Sequence, residues 1–165
     1  MREVVEDLRR TVEEAAERLL ALGEGESEAR RGGGEEGWSA KETLGHLIDS
    51  AANNHGRFVR AQFKDDLVFE GYAQEEWVAA QKYQSASWPQ LVALWRLYNL
   101  HLAHVMEHAR AEELARPRHP HSLQRIAWQL VDEREPATLE YLMRDYVGHL
   151  KHHLAQIFAA VARTP

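Results

Sequence analysis

Hydrophobic residues recur every three or four positions along most of the chain, the spacing that places side chains on one face of an α-helix. This pattern predicts four long helices, at about 2–22, at about 40–64, from Ser87 onward and at about 138–162. It also predicts shorter helical stretches at 74–83 and around 123–131. No segment alternates with the period of two typical of strands, so the pattern predicts an all-α four-helix bundle.

Helix-start signals support two of these boundaries. Ser39 followed by Glu42 forms a capping box, and Trp38 precedes it, where it can pack on the first turn of the second helix. Pro89 falls in the first turn of the third helix, where proline is tolerated. The connections after these two helices are long, and long connections in a compact domain usually carry function.

The segment 23–37 differs in composition from the rest of the chain. It is rich in Gly, Glu and Arg and has almost nothing to bury, which predicts a flexible surface loop. A length of 165 residues is enough for one domain with a core and too short for two ordinary domains. We therefore expect a single domain spanning 1–165, with this loop after its first helix.

The distribution of charged and apolar residues predicts a cytoplasmic protein. No apolar run reaches the length of about 18 residues that spans a membrane. Residues 1–7 mix acidic and basic side chains, whereas a signal peptide begins basic and continues apolar. The net charge is −6, without a dense basic run, which argues against nucleic-acid binding.

Residue usage restricts the metal chemistry that is available. The chain has no cysteine, which excludes disulfides, catalytic thiolates and thiolate metal sites. It has ten histidines, so a metal site would use imidazole and carboxylate ligands. Such ligands favour zinc, nickel, iron, copper or manganese.

Two histidines of the last helix have the spacing of metal ligands. His149 and His153 lie four residues apart on one face, at the edge of the apolar stripe, while His152 points nearly opposite and is expected to face solvent. The alternative interpretation is that both are ordinary polar residues at the boundary of the core.

The position of His46 in the second helix leaves two interpretations open. It lies off the apolar stripe, which by itself favours a solvated side chain. A polar stripe of His46, Asp49 and Asn53 would also be suited to line a pocket between helices. Gly45 is a poor helix former, and its small size would allow another group to approach closely.

The remaining histidines give weaker signals. His101, His104 and His108 form a cluster on the third helix, a less favoured second metal site. His55 falls on the apolar face of its helix, which favours a hydrogen-bonded core residue over a ligand. The sequence contains no GxSxG, P-loop or HExxH motif.

Two segments resemble motifs of a known family. Residues 38–50 (WSAKETLGHLIDS) look like the second-helix motif of the DinB-like superfamily, which includes the YfiT-like proteins, and residues 149–157 (HLKHHLAQI) look like its last-helix motif. Residues 72–77 and 87–91 also resemble the family, less specifically. The resemblance implies an antiparallel four-helix bundle in which His46, His149 and His153 hold a divalent metal ion, with zinc or nickel favoured over iron or manganese.

Groups around these ligands can also be predicted. A ligating histidine usually passes its other ring N–H to an acceptor. Asp49 and Asn53 lie on the side of His46, and Gln156 is one turn from His153, so we expect these three residues to support the ligands or line the pocket. We expect the outer wall to come from Trp77 or from the loop around His119.

Three neutral imidazoles leave an open coordination position, as in catalytic zinc sites. This position would take water and lower its pKa, or take a thiol and hold it as thiolate. Because characterised relatives use bacillithiol, mycothiol or glutathione, and this chain lacks cysteine, our leading hypothesis is a transferase that activates a low-molecular-weight thiol. The alternatives are a metal-dependent hydrolase and a non-catalytic metal-binding or dimerising bundle. The expected partners are a small-molecule substrate and a second copy of the chain.

Overall fold

The computed structural model describes residues 1–30 and 37–161. Its long helices are α1 (Arg2–Leu20), α3 (Ala40–Ala61), α5 (Trp88–Glu107) and α8 (Leu139–Val161). Its short helices are α2 (Glu24–Glu28), α4 (Gln74–Gln81), α6 (Ala111–Ala115) and α7 (Leu123–Ile126), and a 3₁₀ turn spans Tyr83–Ser85. Across these residues there is no strand, only two isolated bridges, so the predicted all-α bundle of four long helices is confirmed.

Side-chain contacts give the relative directions of the long helices. The α1–α5 pair is antiparallel, because Glu13 pairs with Arg96 and the Leu19 carbonyl accepts from Trp88. The α3–α8 pair is also antiparallel, because its contacts run in opposite order along the two helices. His46 meets His149, and Phe58 meets Tyr146. The other two neighbouring pairs, α3–α5 and α1–α8, run parallel. A parallel α3–α5 pair requires the connecting chain to return along the bundle, which explains the length of segment 62–87.

The predicted helix starts are confirmed by local hydrogen bonds. The Glu42 carboxylate accepts from the Ser39 N–H at 3.0 Å, and the Ser39 hydroxyl accepts from the Glu42 N–H at 3.2 Å. Pro89 lies in the first turn of α5. The α3 helix ends at Ala61, three residues before the predicted boundary. The helical stretch predicted around 123–131 is only the single turn α7.

The predicted loop at 23–37 contains regular structure in its first part. Helix α2 forms there because the Glu26 carboxylate accepts the N–H of Gly23 at 2.8 Å. Ser27 is fully buried, and its hydroxyl donates to the carbonyl of Glu24. These local hydrogen bonds stabilise a helical turn at Glu24–Glu28 even though the segment is polar in composition. Residues 31–36 of that prediction lie outside the described residues.

The two long connections pack against each other beside α3 and α8. The main chain of Leu67 exchanges hydrogen bonds with Pro120 and Ser122. The buried Arg118 guanidinium donates to the carbonyl of Ala61 at 2.9 Å and pairs with Glu113. These contacts hold both connections against the side of the bundle that carries the histidines. Within the described residues, none of the helices combines the length and the apolar character that crossing a membrane requires.

Candidate metal centre

Helices α3 and α8 bring three histidines together. The Nε2 atoms of His46 and His149 lie 3.2 Å apart, although the two residues are 103 positions apart in the chain. The ring of His153 lies 4.8 Å from that of His46 and 4.5 Å from that of His149. One nitrogen from each ring lies within 4.8 Å of the others. His46 and His153 are buried and His149 is half-buried, and we call this group the buried triad.

His46 is 0% exposed, so the solvated side chain that periodicity favoured is wrong for this residue. Every residue from Ala40 to Ala51 is buried, because the first half of α3 is covered by other elements on all sides. The ring of Trp38 lies 5.3 Å from that of His46. In a helix covered this fully, the polar stripe faces the protein interior as much as the apolar stripe does.

Gly45 allows this covering. A Cβ atom at position 45 would lie 2.1 Å from Cδ2 of Tyr83, so the aromatic ring occupies the space of a side chain. The Tyr83 hydroxyl donates to Oδ1 of Asp49 at 2.7 Å, and the amide of Gln81 donates to the same oxygen at 2.6 Å. The close approach expected at Gly45 is therefore confirmed, and it is Tyr83 that approaches.

Burial keeps the triad neutral. Loss of solvation lowers the pKa of His46 to about 3 and that of His149 to about 2, and it also lowers the pKa of His153. Repulsion from the neighbouring imidazoles acts in the same direction for His46 and His149. At neutral pH each ring therefore has an unprotonated nitrogen, the form in which histidine binds metals.

The donor set fits a divalent ion. Two nitrogens bound about 2.0–2.1 Å from one tetrahedral ion lie about 3.3 Å from each other, close to the separation between His46 and His149. Nδ1 of His153 is 2.7 Å from Oε1 of Gln156, an oxygen that can only accept. This hydrogen bond places the proton on Nδ1 and leaves Nε2 of His153 with its lone pair.

The three predicted supporting residues have different positions. Gln156 contacts a triad histidine directly. Asp49 is bonded to Tyr83 and Gln81, and burial raises the pKa of its carboxyl group. The Asn53 amide donates to the main-chain oxygen of Asp49 at 2.9 Å. Among the described residues, Nδ1 of His46 has no hydrogen-bond partner, so neither Asp49 nor Asn53 supports that ring.

A cavity of about 320 Å³ adjoins the triad between α3, α8 and the two long connections. His149 and His153 line it, whereas His46 lies behind them. Trp128 forms part of the outer wall in place of the expected Trp77, which packs on Tyr72. His119, the other expected part of the wall, does not line the cavity. Its ring contacts the main-chain oxygen of Glu133 instead.

Comparison with known proteins places this architecture in a family. Residues 2–157 match the sequence model of the DinB superfamily. The chain belongs to this superfamily. Its structure is similar to that of YfiT from Bacillus subtilis, described as a probable metal-dependent hydrolase with an unusual four-helix bundle topology. The two share 21% sequence identity with a TM-score of 0.73, over 98% of this chain and 83% of YfiT, which shows a common fold. No curated protein matches the sequence.

The other histidines of this DinB-superfamily chain lie outside the triad. His152 is exposed, as predicted, and its ring is 3.1 Å from the Gln156 amide. His55 is half-buried rather than in the core, with Nδ1 3.4 Å from the Tyr98 hydroxyl. His104, Glu107 and His108 form a second group with three ligand atoms within 4.8 Å, which we call the exposed cluster. His101 is not part of it.

Sequence reasoning missed several side chains that line the cavity. Ser50, Asn54 and Arg57 share one face of α3, at spacings of four and three residues, and all three line it. Asp145 lines it from α8, and its carboxylate accepts the main-chain N–H groups of Trp128 and Gln129 at 2.8 and 2.7 Å. The helical spacing of the α3 residues is visible in the sequence, but nothing there indicates that this face borders a cavity.

Proposed function

We propose that this protein is a metal-dependent enzyme in which His46, His149 and His153 hold a divalent ion, with zinc or nickel preferred. The observation that carries the proposal is the neutral triad beside a cavity, in which the Nε2 atoms of His46 and His149 lie 3.2 Å apart and one nitrogen of His153 lies within 4.8 Å of the other ligand atoms. The ion would supply Lewis acidity and an open position at which a thiol or a water loses its proton more readily. Because His149 and His153 line the cavity, the substrate would approach from that side.

The protein residues hold and shield this site. Burial keeps the three rings neutral, so protons do not compete with the metal for the ligand nitrogens at neutral pH. Gln156 fixes the ring of His153 in the orientation that presents Nε2. Trp38 and Tyr83 cover α3 around His46 and exclude water from behind the site.

For the reaction, we propose transfer of a low-molecular-weight thiol, such as bacillithiol, mycothiol or glutathione, to an electrophile. Among the described residues that line the cavity, Asp145 provides the carboxylate, and it is engaged by two main-chain N–H groups. A cavity without a free carboxylate base favours a nucleophile that ionises easily, and a thiol (pKa about 8.5) does so far more readily than water (about 15.7). The chain has no cysteine, so the sulfur would come from the small molecule.

The second candidate is a metal-dependent hydrolase. The similar fold of YfiT, which is described as a probable metal-dependent hydrolase, favours this candidate. An open position on a three-histidine ion suits water as well as a thiol in geometry.

One assay separates the candidates. The zinc- or nickel-loaded protein is mixed with 1-chloro-2,4-dinitrobenzene and each thiol, and separately with 4-nitrophenyl acetate without thiol. Metal-dependent product only in the presence of a thiol supports the transferase, whereas ester cleavage without thiol supports the hydrolase. His149→Asn should abolish either activity, and His104→Asn, on the exposed cluster, serves as the matched control. An absence of metal-dependent turnover in both arms would contradict an enzymatic role.

The homodimer implied by the family resemblance is also a proposal. Sedimentation velocity on the metal-loaded protein measures it directly. A single species with the mass of one 19.0 kDa chain would contradict it.

A further inference from the structure

Arg57 is a buried cation without an acidic partner. Its side chain is on α3 and the residue is 4% exposed. Its guanidinium donates to the main-chain oxygen of Glu70 at 2.9 Å and to Oδ1 of Asn54 at 3.4 Å. Among the residues that the structure describes, no carboxylate lies within 4.0 Å of it. Arginine keeps its charge even when burial lowers its pKa, and a buried charge is costly unless it is paired.

The charges near Arg57 do not compensate for it. Arg60, one turn further along α3, adds repulsion, and the phenol of Tyr72 is the nearby group that favours the charged form. Arg125 also lines the cavity and makes no ion pair within the described part of the chain. The Asp145 carboxylate faces the same space but is bonded to the loop at Trp128. This part of the cavity therefore has excess positive charge.

Arg57 and two histidines of the triad, His149 and His153, border the same cavity. His46 and Arg57 are eleven residues apart on α3, which corresponds to about 16 Å along a helix that rises about 1.5 Å per residue. An elongated small molecule in this cavity would contact His149 or His153 with one end and Arg57 with the other.

We propose that Arg57 binds an oxyanion of the substrate, a carboxylate or a phosphate ester, at the end of the molecule remote from the buried triad. A guanidinium presents two parallel N–H donors that match either group. The anion would supply the charge that Arg57 lacks in the protein. Assigning the other end of the substrate to the metal rests on the function proposed above, whereas anion binding by Arg57 does not require it.

Binding of simple probes tests this site without turnover. Hexanoate, hexyl phosphate and the neutral isostere hexanamide are titrated into the zinc-loaded protein and into the His149→Asn variant by calorimetry. We expect at least one of the two anions to bind and hexanamide to bind at least about tenfold more weakly, since a hydrogen bond between two charged groups is stronger than one to a neutral amide. The preferred anion identifies the source of the oxyanion. Binding that persists in His149→Asn separates Arg57 from direct coordination by the metal.

Substitutions at position 57 identify the residue responsible. Arg57→Gln should weaken anion binding at least about tenfold. Arg57→Lys, which keeps the charge but loses the paired donors, should bind with intermediate affinity. Arg60→Gln is the matched control on the exposed side of the same helix and should bind like the native protein. Equal binding of hexanoate and hexanamide, unchanged binding in Arg57→Gln, or no binding of either anion at millimolar concentration would overturn the proposal. If the native, metal-loaded protein binds the anions as expected but shows no turnover, the result would count against the proposed reaction and not against the anion site.

Discussion

The buried triad and the exposed cluster offer similar ligand atoms in contrasting surroundings. Both bring three such atoms within 4.8 Å, and both contain a pair of histidines four residues apart on one helix. The triad joins α3 to α8 and adjoins a cavity. The exposed cluster lies on α5 alone, and its Glu107 already pairs with Arg9 at 2.8 Å. His108 is the C-cap residue of α5, and its Nδ1 donates to the main-chain oxygen of His104.

This contrast shows that ligand spacing does not by itself define a metal centre. Burial fixes the protonation state of the triad and holds its rings in place, so little order has to be acquired when an ion binds. At the exposed cluster, water competes with the side chains for a metal ion, and Glu107 would have to leave its ion pair. The exposed side chains must also be immobilised when an ion binds. We therefore expect a tight site at the triad and at most a weak one on α5.

The largest expected effect is on zinc affinity. His46→Asn should weaken the tightest zinc site at least about 100-fold, because it removes one of three ligands where even outer contacts are worth about 10–100-fold. His104→Asn should leave that site unchanged. Competition with a chromogenic chelator measures both. If His104→Asn removed the tightly bound ion and His46→Asn did not, the order of the two sites would be reversed.

Packing around the triad gives the next effect. Gly45→Ala inserts a Cβ atom 2.1 Å from the Tyr83 ring, and we expect it to lower the free energy of unfolding by about 1–3 kcal/mol. This loss includes the gain of about 1 kcal/mol that alanine brings to a helix.

Gly56→Ala on the same helix is the control for this substitution. There the new Cβ would meet only the mobile end of Arg60 at 3.2 Å, so the helix-propensity gain should dominate. Urea unfolding compares the two variants. Equal stabilities would mean that Tyr83 does not cover α3 as tightly as the structure indicates.

The pH dependence of stability should also differ between the buried triad and the exposed cluster. An unfolded histidine titrates near 6.5, whereas burial lowers the pKa of His46 to about 3. Between these values the unfolded chain binds more protons, so the metal-free protein should lose stability as the pH falls from 6.5 towards 3. The slope is at most about 1.4 kcal/mol per pH unit for each buried histidine.

The raised pKa values of the Asp49 and Asp145 carboxyls act in the opposite direction, and comparison between variants removes their contribution. His46→Asn/His149→Asn should show a shallower loss of stability between pH 6.5 and 4.5 than the native protein. His104→Asn/His108→Asn should follow the native curve. Parallel curves for all three proteins would contradict the burial of the triad.

The smallest expected effect is on stability at the exposed cluster. Glu107→Gln removes an exposed ion pair with Arg9 and should change the free energy of unfolding by less than about 1 kcal/mol, with less change in high salt. Chemical denaturation at low and high ionic strength measures it. A loss of several kcal/mol would show that this exposed cluster contributes to the stability of the bundle.

The sequence predicts most features that depend on local periodicity. The long helices, the capping box at Ser39 and the shared face of His149 and His153 all follow from the spacing of residues along one helix. Burial of His46 does not follow from spacing, because it depends on elements distant in sequence that cover α3. Only the family resemblance indicated its position.

The cavity walls illustrate the same limit. Trp128 and Arg57 meet at one cavity because α3 and the second long connection pack together, and no pattern in either segment encodes that meeting. The contact between Gln156 and His153 depends on only one helical turn, whereas the positions of Asp49 and Asn53 depend on what lies between the helices. Tertiary packing thus decided the parts of the site that sequence spacing could not.

The position of Trp128 at the cavity wall has a consequence for the fluorescence of the protein. Its ring packs on Gly148, where a Cβ would lie 3.0 Å away, and is 5.3 Å from the ring of His152. The residue is 41% exposed and lines the cavity, whereas the similarly exposed Trp77 does not line it, and Trp88 and Trp95 are buried elsewhere in the bundle. Indole fluorescence depends on solvent contact and on nearby imidazole groups, so a molecule entering the cavity should change the emission of Trp128. The native protein therefore carries its own spectroscopic reporter of occupancy, which needs no attached dye.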